Sequence, residues 1–269
     1  MRVGPFVLSL LVIASTSSQL SSQQSASSPQ RDPQAIALLQ QALTATSGTA
    51  QPAPTSIVAS GTYTRFLADS TVSYPLRVEA LGFDRFRWEI DTPDEGTIMT
   101  IVSGTASWSL SSQGTAAIPI AEIPGKTFES FPILALSTWA NSPTAGLKMI
   151  GPETLAGRAV YHVSVAPTLA GNTNPNREKV YDATHQREIF FDQETNLLFH
   201  LRYYRHPTDW RVGIPVDAEY SNFQTIAGIS FPMTIATYLD DQKITQIQYQ
   251  SLTLNTSIPA SDFLQGAPQ

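Results

Sequence analysis

Between residues 83 and 91 the side chains alternate with a period of two. Phe86, Trp88 and Ile90 share one side; Arg85, Arg87 and Glu89 share the other. This pattern belongs to a strand with one apolar and one wet face, as in an antiparallel sheet. Residues 229–239 repeat it, with Ile229, Phe231, Met233, Ile235 and Leu239 pointing one way. Further β-rich runs bounded by turn residues are read at 57–67, 73–81, 97–103, 106–111, 147–150, 158–166, 188–192, 197–204, 216–225 and 244–254. The segments 191–197 and 239–244 read as hairpin turns. This gives eleven to twelve strands with no β-α-β alternation. The expected fold is mainly β (α+β): one large antiparallel sheet, curved by its size, with helices on one face.

Two helices fit between the strands. Asp32-Pro33 is a start signal, an N-cap Asp before a first-turn proline. Ala35, Ile36, Leu38, Leu39, Ala42 and Leu43 then recur at helical spacing, and Gly48 closes the run. The second opens at Ser130 and Pro132, offers Phe131, Leu134, Ala135 and Trp139 to one face, and ends at Asn141-Ser142-Pro143. Residues 112–127 read as a Gly/Pro-marked loop and 168–183 as a long polar loop.

Ahead of the sheet, Arg2 precedes a nine-residue apolar run from Phe6 to Ala14. A helical membrane span needs about twenty apolar residues. The run therefore reads as the core of a secretory signal peptide over residues 1–20; an uncleaved anchor is the other reading. Residues 15–28 hold eight serines and three glutamines. Such a stretch cannot repay its ordering entropy, so 21–31 is expected to be a flexible tether and 32–266 a single domain. The expected location is periplasmic or secreted, with no transmembrane span in the mature chain.

Composition narrows the function. Charged residues are only 14% of the chain and the net charge is −6, so a basic nucleic-acid surface is not expected. The chain has no cysteine, which removes disulfides, thiolate metal sites and a cysteine nucleophile. Nucleophile-elbow, P-loop, dinucleotide and zincin motifs are all missing from the sequence. His162, His185, His200 and His206 do not pair at metal-ligand spacing, and Asp240-Asp241 reads as turn chemistry. We therefore expect no catalytic residues, no metal and no cofactor. The segment from Arg202 to Arg211 concentrates Arg, Tyr, His and Trp, a composition suited either to an interface or to a strand end and loop.

From Gly82 the chain reads GFDRFRWEIDTPDEGTIMTIVSGTASWSLSS. With Phe86, Trp88, Pro93, Gly104 and Trp108 at their places, this resembles the periplasmic lipoprotein-carrier family, the LolA-like and LolB-like proteins. The turn at 191–197, the block Gly228-Ile-Ser-Phe-Pro232 and the end Asn255 to Phe263 resemble the same family, so the likeness spans roughly residues 33–266. The family's basic residue before the aromatic block falls here at about Gly82, and the loops 112–127 and 168–186 are longer. The resemblance implies an incomplete antiparallel barrel covered by helices on its concave side. It also implies an apolar cavity that takes acyl chains.

On that basis Phe86, Trp88, Ile90, Met99, Ile101, Phe231, Met233 and Ile235 are the expected cavity lining, and the partner is a lipid or the acyl chains of a lipoprotein. A buried methylene contributes ~0.8 kcal/mol, so about fourteen give ~11 kcal/mol. Association costs on the order of 4–15 kcal/mol. A preformed apolar groove can therefore hold a lipid without polar chemistry. The alternative is an envelope-stress regulatory or interaction module of the same fold that binds a protein partner.

Overall fold

The computed structural model describes residues 29–48, 52–104, 106–118, 123–167, 176, 185–205 and 213–267. The expected signal peptide and most of the expected tether (residues 1–28), the expected loop 168–183 apart from Asn176, and residues 206–212 of the Arg/aromatic segment lie outside them.

Thirteen strands form one antiparallel sheet. They are β1 Ser56–Phe66, β2 Thr71–Leu81, β3 Arg85–Thr92, β4 Gly96–Ser103, β5 Ala106–Ser111, β6 Gly114–Ala117, β7 Ala145–Leu155, β8 Arg158–Pro167, β9 Arg187–Asp192, β10 Leu198–Arg205, β11 Ile214–Ile226, β12 Ile229–Leu239 and β13 Gln242–Leu254. The order is β6-β5-β4-β3-β2-β1-β13-β12-β11-β10-β9-β8-β7. Strands adjacent in sequence are neighbours, except where β1 pairs with β13 in the middle. The two edges, β6 and β7, do not meet, so the sheet stays an open half-barrel.

Each edge is managed differently. Strand β6 has only four residues, all exposed, and a short edge offers little to a passing strand. Strand β7 is longer, and the chain covers it itself. The Leu147 N–H donates to the Gln30 carbonyl (2.9 Å) and the Asp32 N–H to the Leu147 carbonyl (2.8 Å). The last residues of the expected tether are thus paired to the sheet.

Local chemistry explains the expected elements. In α1, Pro33–Ser47, Asp32 Oδ1 accepts from the Gln34 N–H at 2.8 Å, and Ala35, Leu38, Leu39 and Ala42 form the buried face. The turn between β12 and β13 is Asp240-Asp241, with φ of 49° and 63°. Two successive positive φ values make the turn whose twist matches a hairpin, and Asp tolerates them.

Two expectations change. The stretch 112–127 is not all loop: it contains β6 and the helix α2, Ile123–Ser130. Pro124 and Gly125 disguise this helix in sequence, but a first-turn proline gives up no hydrogen bond, and Phe128 is fully buried. The strand expected at 147–150 runs from Ala145 to Leu155. The other expected helix is α3, Pro132–Asn141, where Pro132 to Leu136, Trp139 and Ala140 are all buried. A helix whose first turn is buried all round sits against a core, and α3, with only Thr138 and Asn141 exposed, fills the concave side of the sheet with α1 and α2.

Candidate functional site

The main core joins the three helices to one face of the sheet. Register shows how strands distant in sequence contribute. Tyr249, Gly61, Leu76, Ile90 and Ile98 cross the sheet on one side, and Ile235, Ile247, Tyr63 and Tyr74 run beside them. Of the expected lining, Phe86, Phe231, Met233 and Ile235 are buried here, while Trp88 and Ile90 are half-buried against the same cluster. Trp88 packs edge-on to Tyr63 at 5.2 Å.

Met99 and Ile101 are not part of this face. In β4 the inward residues are Ile98, Thr100 and Val102, opposite Ile90, Trp88 and Phe86. Met99 and Ile101 point to the outer face, opposite Glu89 and Arg87. They belong to a second cluster with Trp108 and Phe263. There Trp108 Nε1 donates to the Gln265 carbonyl (2.8 Å), so the C-terminal segment straps the back of β4 and β5. Residues 97–102 are apolar on both faces, which is why alternation could not separate in from out. The outer charges pair as the alternation implies, Arg87 with Glu89.

Among the described residues the concave interior is closely packed. A cleft bounded by Thr46 of α1, Ile133 and Leu136 of α3 and Leu198, Tyr220 and Phe231 of the sheet has a cavity volume of ≈ 20 Å³. That is room for about one water molecule. Phe128 and Phe131 are fully buried and Trp139 nearly so. The Phe128 and Trp139 rings meet at 4.5 Å, and the Phe131 ring stacks on Tyr249 at 5.9 Å. The helices are thus an apolar plug seated in the sheet's hollow.

One part of that interior is polar and was not legible in the sequence. Glu129 of α2 is half-buried. Thr237 of β12 donates its hydroxyl to Glu129 Oε1 at 2.9 Å. The Tyr203 hydroxyl also reaches Glu129, and burial followed by that negative charge pushes Tyr203 well above the usual phenol range. Tyr220 and Tyr249 are pushed up by burial first, with Glu129 adding to it. Arg187, itself buried, donates from Nη1 to the Gln186 carbonyl (2.8 Å), and its guanidinium lies 5.0 Å from the Tyr203 ring centre. The only sequence signal was a lone acid in the apolar stretch Phe128 to Leu136.

The outer face carries His162 and His200. His162 Nε2 is 2.6 Å from Glu188 Oε2, and Ser164 donates to Glu188 Oε1 at 3.0 Å. A Ser, a His and an acid are together, but Glu188 is the hub. A catalytic triad needs the serine on the histidine and the acid on its other nitrogen, so this arrangement does not activate Ser164. Across Phe190, His200 Nε2 meets Asp217 Oδ1 at 2.5 Å and Arg202 Nε donates to the same oxygen at 2.7 Å. Burial alone would raise both carboxylates. The hydrogen bonds from His162, Gln186 and Ser164 to Glu188, and from His200 and Arg202 to Asp217, outweigh it and hold both below their ordinary range. Among the described residues no group of three or more His, Asp or Glu could hold a metal ion. No helix among them is long and apolar enough to cross a membrane.

This outer cluster has a testable consequence. A depressed carboxylate adds stability that is present above its unfolded pKa of about 4 and is lost as pH falls through the lower folded value. Asp217→Asn strips the buried His200 and the half-buried Arg202 of their partner and is expected to cost about 3 kcal/mol at pH 7. The gap in Tm between wild type and variant should narrow on acidification below about pH 4. A gap that stays constant to acid unfolding would show that the Asp217 charge is not the source.

No protein-family model matches the chain, and no curated protein matches it. Solved structures do. A LolA superfamily protein of Nitrosomonas europaea superposes over 85% of this chain and 96% of its own, with TM-score 0.57 and 14% identity. An outer membrane lipoprotein-sorting protein domain of Vibrio parahaemolyticus covers 86% and 96%, with TM-score 0.58 and 12% identity. A DUF1329 family protein of Desulfovibrio piger covers 88% and 98%, with TM-score 0.56 and 13% identity. The open antiparallel sheet of this chain therefore has the same fold as these three structures, a LolA superfamily protein among them.

Proposed function

We propose that this chain is an envelope protein that holds the acyl chains of a lipid, or of a lipid-modified protein, between its helices and the concave face of its sheet. It does so by binding, without covalent chemistry. The observation that carries this reading is the plug. A thirteen-stranded sheet leaves its edges unjoined and lines its hollow with apolar side chains. What fills the hollow is three short helices rather than a second sheet. Ligand pockets for molecules of lipid size are roughly 300–1,000 Å³, far above the ≈ 20 Å³ found here. Binding therefore requires α3 to move outward from the cleft it shares with α1 and the sheet, and acyl chains to take the place of Phe131 and Trp139. The apolar area lost by the plug is regained by the lipid, which keeps the exchange near balance.

The test is native mass spectrometry with solvent extraction on the full chain purified from a bacterial envelope, followed by titration with the uncharged dye N-phenyl-1-naphthylamine. A co-purifying acyl lipid, and dye fluorescence that the extracted lipid abolishes, are expected. A protein that carries no lipid and binds no dye would sink the proposal and favour the interaction-module reading.

A further inference from the structure

We infer that the hydroxyl groups around Glu129 form the polar end of the acyl site, and that they select an uncharged acyl ester or amide over a free carboxylate. The inference rests on the lipid-binding reading and names the ligand class. Three hydroxyls carry it. Tyr220 is 2% exposed, Tyr249 4% and Ser130 2%. Among the described residues none of the three has an aligned hydrogen-bond partner. The Tyr249 hydroxyl and Ser130 Oγ lie beside each other without forming an aligned bond. A buried hydroxyl without a partner forfeits the hydrogen bond it makes in water. Three together, in a core otherwise packed with phenylalanine and leucine, amount to an unfilled demand.

The demand is for an acceptor. Burial and the Glu129 carboxylate keep the tyrosines in the protonated, donating form. Glu129 is the acceptor already present, and it is used by Thr237 and Tyr203. Tyr220 is also a wall of the apolar cleft between α1, α3 and the sheet. A chain lying in that cleft thus ends among hydroxyl donors. An ester or amide carbonyl satisfies them without charge. A fatty-acid carboxylate also accepts, but it would have to sit beside Glu129. The cations around the cluster offset Glu129 only in part: at Tyr203 the effect of Glu129 comes ahead of the opposing effects of Arg187 and Arg205. Arg187 is engaged with the Gln186 carbonyl and the Tyr203 ring, and Arg65 and Arg205 are exposed at the rim.

The experiment is competition against N-phenyl-1-naphthylamine at pH 7.4 by three probes with one hydrocarbon chain: glycerol monooleate, oleate and oleylamine. In the wild type the ester should displace dye at about a ten-fold lower concentration than oleate, because like charges brought together are strongly disfavoured. Glu129→Gln keeps a side-chain carbonyl for Thr237 and should bring oleate close to the ester. Tyr220→Phe should weaken the ester about five-fold and leave oleate unchanged, without loss of stability. Ester and oleate competing equally would overturn the inference and leave the lipid reading standing. An ester affinity untouched by Tyr220→Phe would mean that water alone serves the hydroxyls, and would also overturn it. Dye that never binds would overturn both. The wild-type order needs no variant: oleylamine offers no acceptor and should compete less well than the ester but better than oleate, and oleate competing better than oleylamine counts against the role of Glu129.

Discussion

Gly61→Ala is expected to destabilise the protein by more than about 4 kcal/mol, an exceptional cost for one methyl group. Gly61 sits where the register of β1 against β13 shifts, between Ser60 and Gly61. A Cβ built there would lie 2.1 Å from the Gln248 carbonyl oxygen and 2.9 Å from its carbon. Both are backbone atoms in a ladder, so no side chain can swing away. Relief requires β1 and β13 to part, and these strands join the two halves of the sheet. The measurement is urea unfolding followed by far-UV circular dichroism and tryptophan fluorescence. Gly96→Ala is the control: that glycine has φ of 70° and nothing within 4 Å of a new Cβ. It should cost only the left-handed backbone term of about 1–2 kcal/mol. A Gly61→Ala protein as stable as the control would mean that the two strands part easily at the bulge.

Trp139→Ala should give the second large effect, and it should be two-sided. Trp139 is 6% exposed in α3 and packs against Phe128 and Phe83. Its truncation leaves a cavity in a tight core and is expected to cost about 3–5 kcal/mol. An apolar cavity stays dry and accepts apolar guests. The same variant should therefore bind N-phenyl-1-naphthylamine several-fold more tightly than wild type, while its unfolding midpoint falls. If the helices merely complete a closed core, dye binding will drop in step with stability. Opposite movement of the two readouts is the signature of a plug that competes with a ligand for one space.

Much of the architecture was legible because it depends on short-range chemistry. The alternation of Phe86, Trp88 and Ile90 marked a strand and its inward side. Ile229 to Ile235 did the same for β12. Asp240-Asp241 announced a hairpin turn, and Asp32-Pro33 a helix start. Where local signals conflicted, the reading broke down. Pro124 and Gly125 hid α2, whose place is set by burial of Phe128 rather than by propensity.

The sequence by itself determined the strand periods, the turns, the capped first helix and the apolar character of the interior, since each follows from residues a few positions apart. Which side of β4 faces inward was decided only by the tertiary structure. Residues 97–102 are apolar on both sides, and it is the arrival of Phe263 and the C-terminal strap that makes Met99 and Ile101 the back of the sheet. The polar end of the hollow was likewise beyond reach. Glu129 meets Thr237 across 108 residues, and Tyr203, Tyr220 and Tyr249 come from three different strands. A pattern of period two says which face a side chain takes, but only the order of strands in the closed fold says which distant side chains share it.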